Sequence, residues 1–137
     1  KELTPTGPPQ VAPPNSEIFE LMGSENIVQM LEDFYLELEK SEIRDMFPDD
    51  MPAASRKSAA YFIGLCGGPP LYHQLYGNPM LRRRHMPFAI DENAQQVWLN
   101  CFQKILTNAP EKYSFPEKHL PSFLNFLKGF SPWMVNS

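Results

Sequence analysis

At 137 residues, 42% of them apolar and 12% aromatic, the chain is long enough to build one domain around an ordinary core. Its net charge of −4 excludes a broad electrostatic attraction to nucleic acid or to an anionic membrane. No run of about 18 apolar residues is available to span a bilayer, and the first residues carry no charged-then-apolar leader, so a cytoplasmic location is expected.

Residues 1–15 carry Pro5, Pro8, Pro9, Pro13 and Pro14 and almost nothing apolar. That composition predicts a proline-rich, disordered or extended arm outside the fold, acting as a docking arm or a free tail. The folded domain is expected over residues 16–137. Ser16 reads as the cap of a short helix through Leu21 that Gly23 stops. Ser24 reads as the next cap, and Ile27, Leu31, Phe34, Tyr35 and Leu38 follow on one helical face. Ile43, Met46 and Phe47 form a short apolar patch before Pro48, and Asp49-Asp50 reads as solvated or capping acid. Pro52 suits the first turn of a helix whose inward stripe is Ser55, Ala59, Phe62, Ile63 and Cys66. Gly67-Gly68-Pro69-Pro70 ends it.

Residues 71–80, with Tyr72, Tyr76 and Gly77-Asn78-Pro79, read as a long connection, and such loops are more often functional than idle. A basic turn follows, Leu81-Arg82-Arg83-Arg84-His85-Met86-Pro87-Phe88, where Pro87 limits any helix to a turn or two. Asp91 caps a strong helix with Ala94, Val97, Trp98, Cys101, Phe102 and Ile105 at helical spacing. Ser114 and Glu117 resemble a capping box, while Pro121 argues for a later start of the last helix, which carries Phe123, Leu124, Phe126, Leu127 and Phe130. No alternating strand-like run and no internal repeat is present, so the fold class is all-α.

His85 is the most informative residue. A single imidazole in a short basic turn, with aromatic side chains supplied by other helices, is a candidate ligand for haem iron. Arg82-Arg83-Arg84 is either a solvated turn or an anion site, for which haem propionates are one candidate. Tyr35 and Trp98 both lie on inward stripes. A buried phenol or indole must find a partner or cost roughly 1–3 kcal/mol. A bond to a backbone carbonyl is the plain explanation for either alone. Two inward donors beside a candidate ligand histidine point instead to binding of a diatomic gas, whose negative charge a donor over the iron would stabilise. Phe47 could pack flat on a planar cofactor or belong to the core. Ser55 is small and polar and would leave room for a ligand. Cys66 and Cys101 sit in apolar stripes with no CxxC or CxxCH pattern, so covalent haem attachment and a zinc site are unsupported, and free thiols suit a reducing compartment. His73 and His119 lack metal-ligand spacing with His85, and no phosphate loop or nucleophile motif occurs.

On Phe34-Tyr35, Met46-Phe47-Pro48, Gly67-Gly68-Pro69-Pro70-Leu71-Tyr72, Tyr76-Gly77-Asn78-Pro79, the stretch from Leu81 to Ile90, and Trp98-Leu99, the chain resembles the truncated haemoglobins. These are the small two-over-two helical globins, and the likeness is to their second group. The resemblance spans roughly residues 17–130. It implies a two-over-two helical sandwich around one b-type haem (iron protoporphyrin IX). It makes His85 the proximal iron ligand and Tyr35 and Trp98 the distal donors. Phe47 is then wedged against the haem and Ser55 stands at the distal gate. Arg84 and Arg82 would face a propionate, and Phe62, Leu81, Phe88 and Ala59 would line the ring. The sequence departs from the family's pattern at Asn78, where histidine is frequent. It departs again at Ala59, where a larger or polar residue is common, and at Ser58, where an arginine can otherwise reach a propionate. The implied function is reversible binding of oxygen or another small haem ligand. The alternative is a haem enzyme, a nitric oxide dioxygenase or a peroxidase, that needs an external electron donor such as a reductase. A haem-free helical interaction module is the third reading.

Overall fold

A computed structural model describes residues 11–77 and 90–134, and every regular element among them is helical. The α-helices there are α1 (Ile18–Met22), α2 (Ser24–Glu39), α3 (Met51–Leu65), α4 (Leu71–Tyr76), α5 (Glu92–Leu106), α6 (Ala109–Tyr113) and α7 (Leu120–Phe130). Single 3-10 turns cover Arg44–Met46, Glu117–His119 and Ser131–Met134.

Local chemistry sets most boundaries. The Asp50 carboxylate accepts from the Ala53 N–H at 3.0 Å and opens α3, with Pro52 in the first turn. Asp91 does the same for α5, accepting from the Ala94 N–H at 2.8 Å. The two serines expected as caps do not act so. Glu17 stands at the cap of α1 and makes no side-chain cap bond, while the Asn15 side chain accepts from the Glu17 N–H at 2.8 Å. Gly23, at φ 84°, makes the bend between α1 and α2, so Ser24 becomes the first helical residue rather than the cap.

Two expectations about the backbone need correction. Residues 71–80 do not run as a loop throughout, because Leu71–Tyr76 is helical. Tyr72 buries its ring against Tyr61 of α3, an anchor that a tally of loop-forming residues does not register. Ser114 closes α6 in the left-handed conformation, at φ 56°, instead of opening a helix. The last helix does start after the Ser114–Glu117 stretch, as expected, with Pro121 in its first turn, where a missing N–H costs nothing.

Residues 11–15, expected to stay outside the fold, lie against α7. Pro14 is buried, Val11 packs on the core, and the Asn15 N–H donates to Ser122 Oγ at 3.1 Å. A methyl group on Gly129 would come within 2.5 Å of Val11. Proline carries no N–H in need of a partner, so an extended proline-rich strand can lie on a helix at little polar cost. Gly67 marks a second close approach. Its φ is 101°, and a Cβ there would fall 2.0 Å from the Ser16 carbonyl oxygen. Beside it the Phe19 N–H donates to the Cys66 carbonyl at 2.9 Å, so α1 is stitched to the end of α3.

The core is centred on α2, which packs on α3, α5 and α6. Its inward face is Ile27, Met30, Leu31, Phe34 and Leu38, each at most 1% exposed. Phe34 meets Phe102 of α5 at 4.1 Å between ring centroids, and Phe102 in turn meets Phe62 of α3 and Phe123 of α7, both at 5.6 Å. Aromatic pairs of this kind each add about 0.5–1.5 kcal/mol beyond the area they bury. On the far side of α2, Asp33 accepts from the Tyr113 hydroxyl and pairs with Lys112, tying α6 down. Glu17 and His119 Nε2 meet at 2.8 Å and hold the start of α1 to the turn before α7.

Candidate functional site

Beside the buried rings stands a second aromatic group that the fold leaves half-buried. Tyr35 of α2, Phe47 just after the Arg44–Met46 turn, and Trp98 of α5 all pack on the core without being closed over by it. Tyr35 and Trp98 both meet Phe34 edge to face, at 5.6 and 5.5 Å. Phe47 meets Tyr35 edge to face at 5.9 Å. The structure thus brings three of the expected ligand-side residues into one cluster, with Phe34 as the shared support.

The reason lies in the roll of two helices. On α5 the buried line is Ala94, Leu99, Phe102 and Leu106, while Val97, Trp98, Cys101 and Ile105 are only half-buried. The sequence pattern treated both lines as one stripe. On α2, Tyr35 follows a fully buried Phe34 and stands on the flank of the same face. Each element therefore turns one edge of its apolar face away from the core, and those edges carry the polar-tipped rings.

Ser55 and Ala59 behave differently from Tyr35 and Trp98. They are 3% and 2% exposed, on the core side of α3, and the Ser55 hydroxyl donates to the Pro52 carbonyl of its own helix at 3.2 Å. Phe62 is also core, packed between Phe102 and Phe123. The half-buried flank of α3 is instead Ala54, Ser58, Tyr61 and Leu65, at i, i+4, i+7 and i+11. That spacing is visible in the sequence, but alanine and serine give it too little apolar weight to stand out from the Ser55 stripe. Burial pushes the Tyr61 phenol above the ordinary tyrosine value, so it stays protonated, and its hydroxyl has no hydrogen-bond partner among the described residues.

His85, Arg82, Arg84, Leu81 and Phe88 lie outside the described residues. Among the described residues no group of three or more His, Cys, Asp or Glu side chains could hold a metal ion, and no helix is long and apolar enough to cross a membrane. The two cysteines are free. Burial pushes the Cys66 thiol up to about 12. Burial also raises Cys101, and the nearby Glu37 charge adds to it.

These residues fit a haem on one observation in particular. The Trp98 indole N–H is half-buried and meets no acceptor among the described residues. A donor in that state needs a partner that the described residues do not supply. Half-buried apolar side chains of the kind that line a flat, largely apolar cofactor, Met46, Phe47, Val97, Ile105 and Leu65, also pack on the core.

Comparison with known proteins gives a consistent result. The family model for bacterial-like globins matches residues 17–131. The group 2 truncated hemoglobin YjbI of Bacillus subtilis is 35% identical over 86 residues, covering 62% of this chain and 65% of that protein. The chain spans less than two thirds of the length of the curated relatives it matches, from 56% to 65%. Among solved structures, phosphate-bound Hell's gate globin IV superposes with a TM-score of 0.85 at 30% identity, over 100% of this chain and 86% of that one. The truncated oxygen-avid haemoglobin of Bacillus subtilis superposes with a TM-score of 0.75 at 28% identity, over 86% of this chain and 98% of that one. The expected two-over-two helical fold is the fold of these neighbours.

Proposed function

The chain belongs to the bacterial-like globin family, and from that premise we propose that it is a haem protein that binds oxygen, or another small diatomic ligand, reversibly. The Trp98 donor, without an acceptor among the described residues and sharing the Phe34 ring with Tyr35, is the observation that carries this reading. A relative of the same fold is described as oxygen-avid, which agrees with two donors on the ligand side.

The residues divide as follows. His85 holds the iron from one side through a neutral imidazole nitrogen. Arg84 and Arg82 offer guanidinium groups to a propionate, and Leu81 and Phe88 pack the ring. The haem of this reading is b-type, which needs no covalent attachment, and the sequence carries no CxxCH motif for one. When bound, the haem supplies an iron with a coordination position open to a gas. Phe47 packs against the ring's ligand side and braces Tyr35. The Tyr35 hydroxyl and Trp98 indole N–H donate to the bound ligand and slow its escape, since most affinity differences appear in the off-rate. The gate role passes from Ser55 to Ala54 and Ser58, because the Ser55 hydroxyl is already bonded within its helix.

Two measurements test the reading. The purified, haem-loaded protein gives an intense Soret band, and a protein that takes up no haem contradicts the proposal. Tyr35→Phe and Trp98→Phe each speed oxygen release by about tenfold to a hundredfold, the kinetic equivalent of one lost hydrogen bond of roughly 1–3 kcal/mol. If neither rate moves, the donor assignment is wrong.

A further inference from the structure

The turn that presents Phe47 is closed by backbone bonds, Met46 N–H to the Ile43 carbonyl at 3.0 Å and Phe47 N–H to the Arg44 carbonyl at 3.1 Å, and the stretch after it is held by one side chain. Arg44 begins the 3-10 turn that ends at Met46, and its guanidinium folds forward over the next residues. Nη1 donates to the Phe47 carbonyl and to the Pro48 carbonyl, both at 3.3 Å, and Nη2 donates to the Asp49 carbonyl at 3.4 Å. Three successive carbonyls thus converge on one planar cation. The two elements that follow depend on this stretch. Phe47 presses its ring edge to face on Tyr35, and Asp50, directly after the third carbonyl, caps α3. Phe47 itself is in extended backbone, at φ −119° and ψ 157°; its N–H closes the turn on the Arg44 carbonyl at 3.1 Å, while its own carbonyl is held by the Arg44 guanidinium.

The geometry points to Arg44 as a positioning residue for ligand binding. By fixing the three carbonyls it sets the direction of the Phe47 ring, and through that ring the place of the Tyr35 hydroxyl. Arginine is suited to the task because its fork presents several donors in a fixed plane, whereas lysine offers a point charge. The inference rests on the reading of Tyr35 as a ligand-side donor, and the test separates the two.

Oxygen release is measured by stopped flow in the haem-loaded protein for Arg44→Gln and Arg44→Lys, each alone and in the Tyr35→Phe background. Arg44→Gln speeds release about threefold to tenfold, the effect of misplacing rather than deleting one hydrogen bond. Arg44→Lys speeds it less. In the Tyr35→Phe background neither substitution has a further effect, because the group being positioned is gone. A second readout does not depend on oxygen. In the carbon monoxide complex, NMR cross-relaxation between the Phe47 and Tyr35 rings weakens in Arg44→Gln and is better preserved in Arg44→Lys. An equal acceleration with and without Tyr35 overturns the inference and leaves Arg44 as a purely structural residue. So does an unchanged rate with ring contacts intact. If Tyr35→Phe alone changes nothing, the donor reading fails, and the ring contacts still decide whether Arg44 sets Phe47.

Discussion

Two aromatic clusters share this molecule and meet at Phe34. One is a spine, Phe34, Phe62, Phe102 and Phe123, in which no residue is more than 5% exposed. The other is a wall, Tyr35, Phe47 and Trp98, half-buried and edge-on to the spine. They share two helices: on α2 Tyr35 is next in sequence to Phe34, and on α5 Trp98 is one helical turn before Phe102, while Phe47 comes from the extended stretch after the Arg44–Met46 turn. What separates them is their position around each helix axis and a polar tip on two of the three wall residues. The spine has no polar atom to satisfy and serves cohesion. The wall carries a phenol and an indole, and in the proposed function it serves recognition.

The comparison is broken most severely by cutting the spine. Phe102→Ala should lower the stability of the haem-loaded protein by about 3–5 kcal/mol in urea unfolding, because a ring at 0% exposure in contact with Phe34, Phe62, Trp98 and Phe123 leaves a cavity. Tyr35→Phe should change stability by less than about 1 kcal/mol while altering ligand release. Comparable losses of stability in both variants would erase the distinction.

A smaller effect comes from the polar tie on the opposite side of α2. Burial alone would raise the Asp33 carboxyl, but hydrogen bonds from Tyr113, Lys112 and Gln29 outweigh it and hold it below the ordinary aspartate range. A depressed folded value means that the stabilisation is complete above the ordinary value and is lost as pH falls through the lower folded one. Burial and the same Asp33 contact raise the Tyr113 phenol above 10.0, so its contribution is complete below that value and is lost as pH climbs past it. Asp33→Asn should therefore cost about 1–2 kcal/mol near neutral pH, and thermal melts of the variant and the parent should converge in acid. A gap that persists at pH 2 would mean that shape, not charge, holds α6.

Thiol chemistry sharpens the same contrast without mutation. Cys66 is 1% exposed, with its thiol pushed up to about 12, whereas Cys101 stands half-buried on the α5 edge beside the wall. Cys101 should react with a disulfide reagent at pH 8 at least about tenfold faster than Cys66. Equal rates would place Cys101 in the spine. The smallest change is expected at Glu37, which bridges Lys40 and Lys104 at 3.1 and 3.0 Å. Both lysines are 68% exposed, so Glu37→Gln should shift stability by about 0.5 kcal/mol or less.

Much of this was legible in the residues. The α2 and α3 stripes, the Asp91 cap and the all-helical class follow from period and turn chemistry. The α4 helix was not legible, because a six-residue helix anchored by one tyrosine leaves almost no periodic trace. The roll of α5 was not legible either: Val97, Trp98, Cys101 and Phe102 satisfy one helical pattern whether the core takes Phe102 or Trp98. Ser55 stands at the gate by family resemblance, and the sequence alone does not tell which line of α3 the core takes, because Ala54 and Ser58 give the second line little apolar weight. Arg44 left no signal at all, since a surface arginine after a helix is ordinary until its carbonyl partners are seen.

The central claim is that one imidazole holds the haem while the Tyr35–Trp98 wall faces the ligand. Visible absorption of His85→Gly, recorded after gel filtration and again after a second filtration following addition of haem together with free imidazole, tests it most directly. The account predicts that the Soret band is lost from the protein fraction and returns with imidazole. Full haem retention with the parent spectrum, and no response to imidazole, would contradict it.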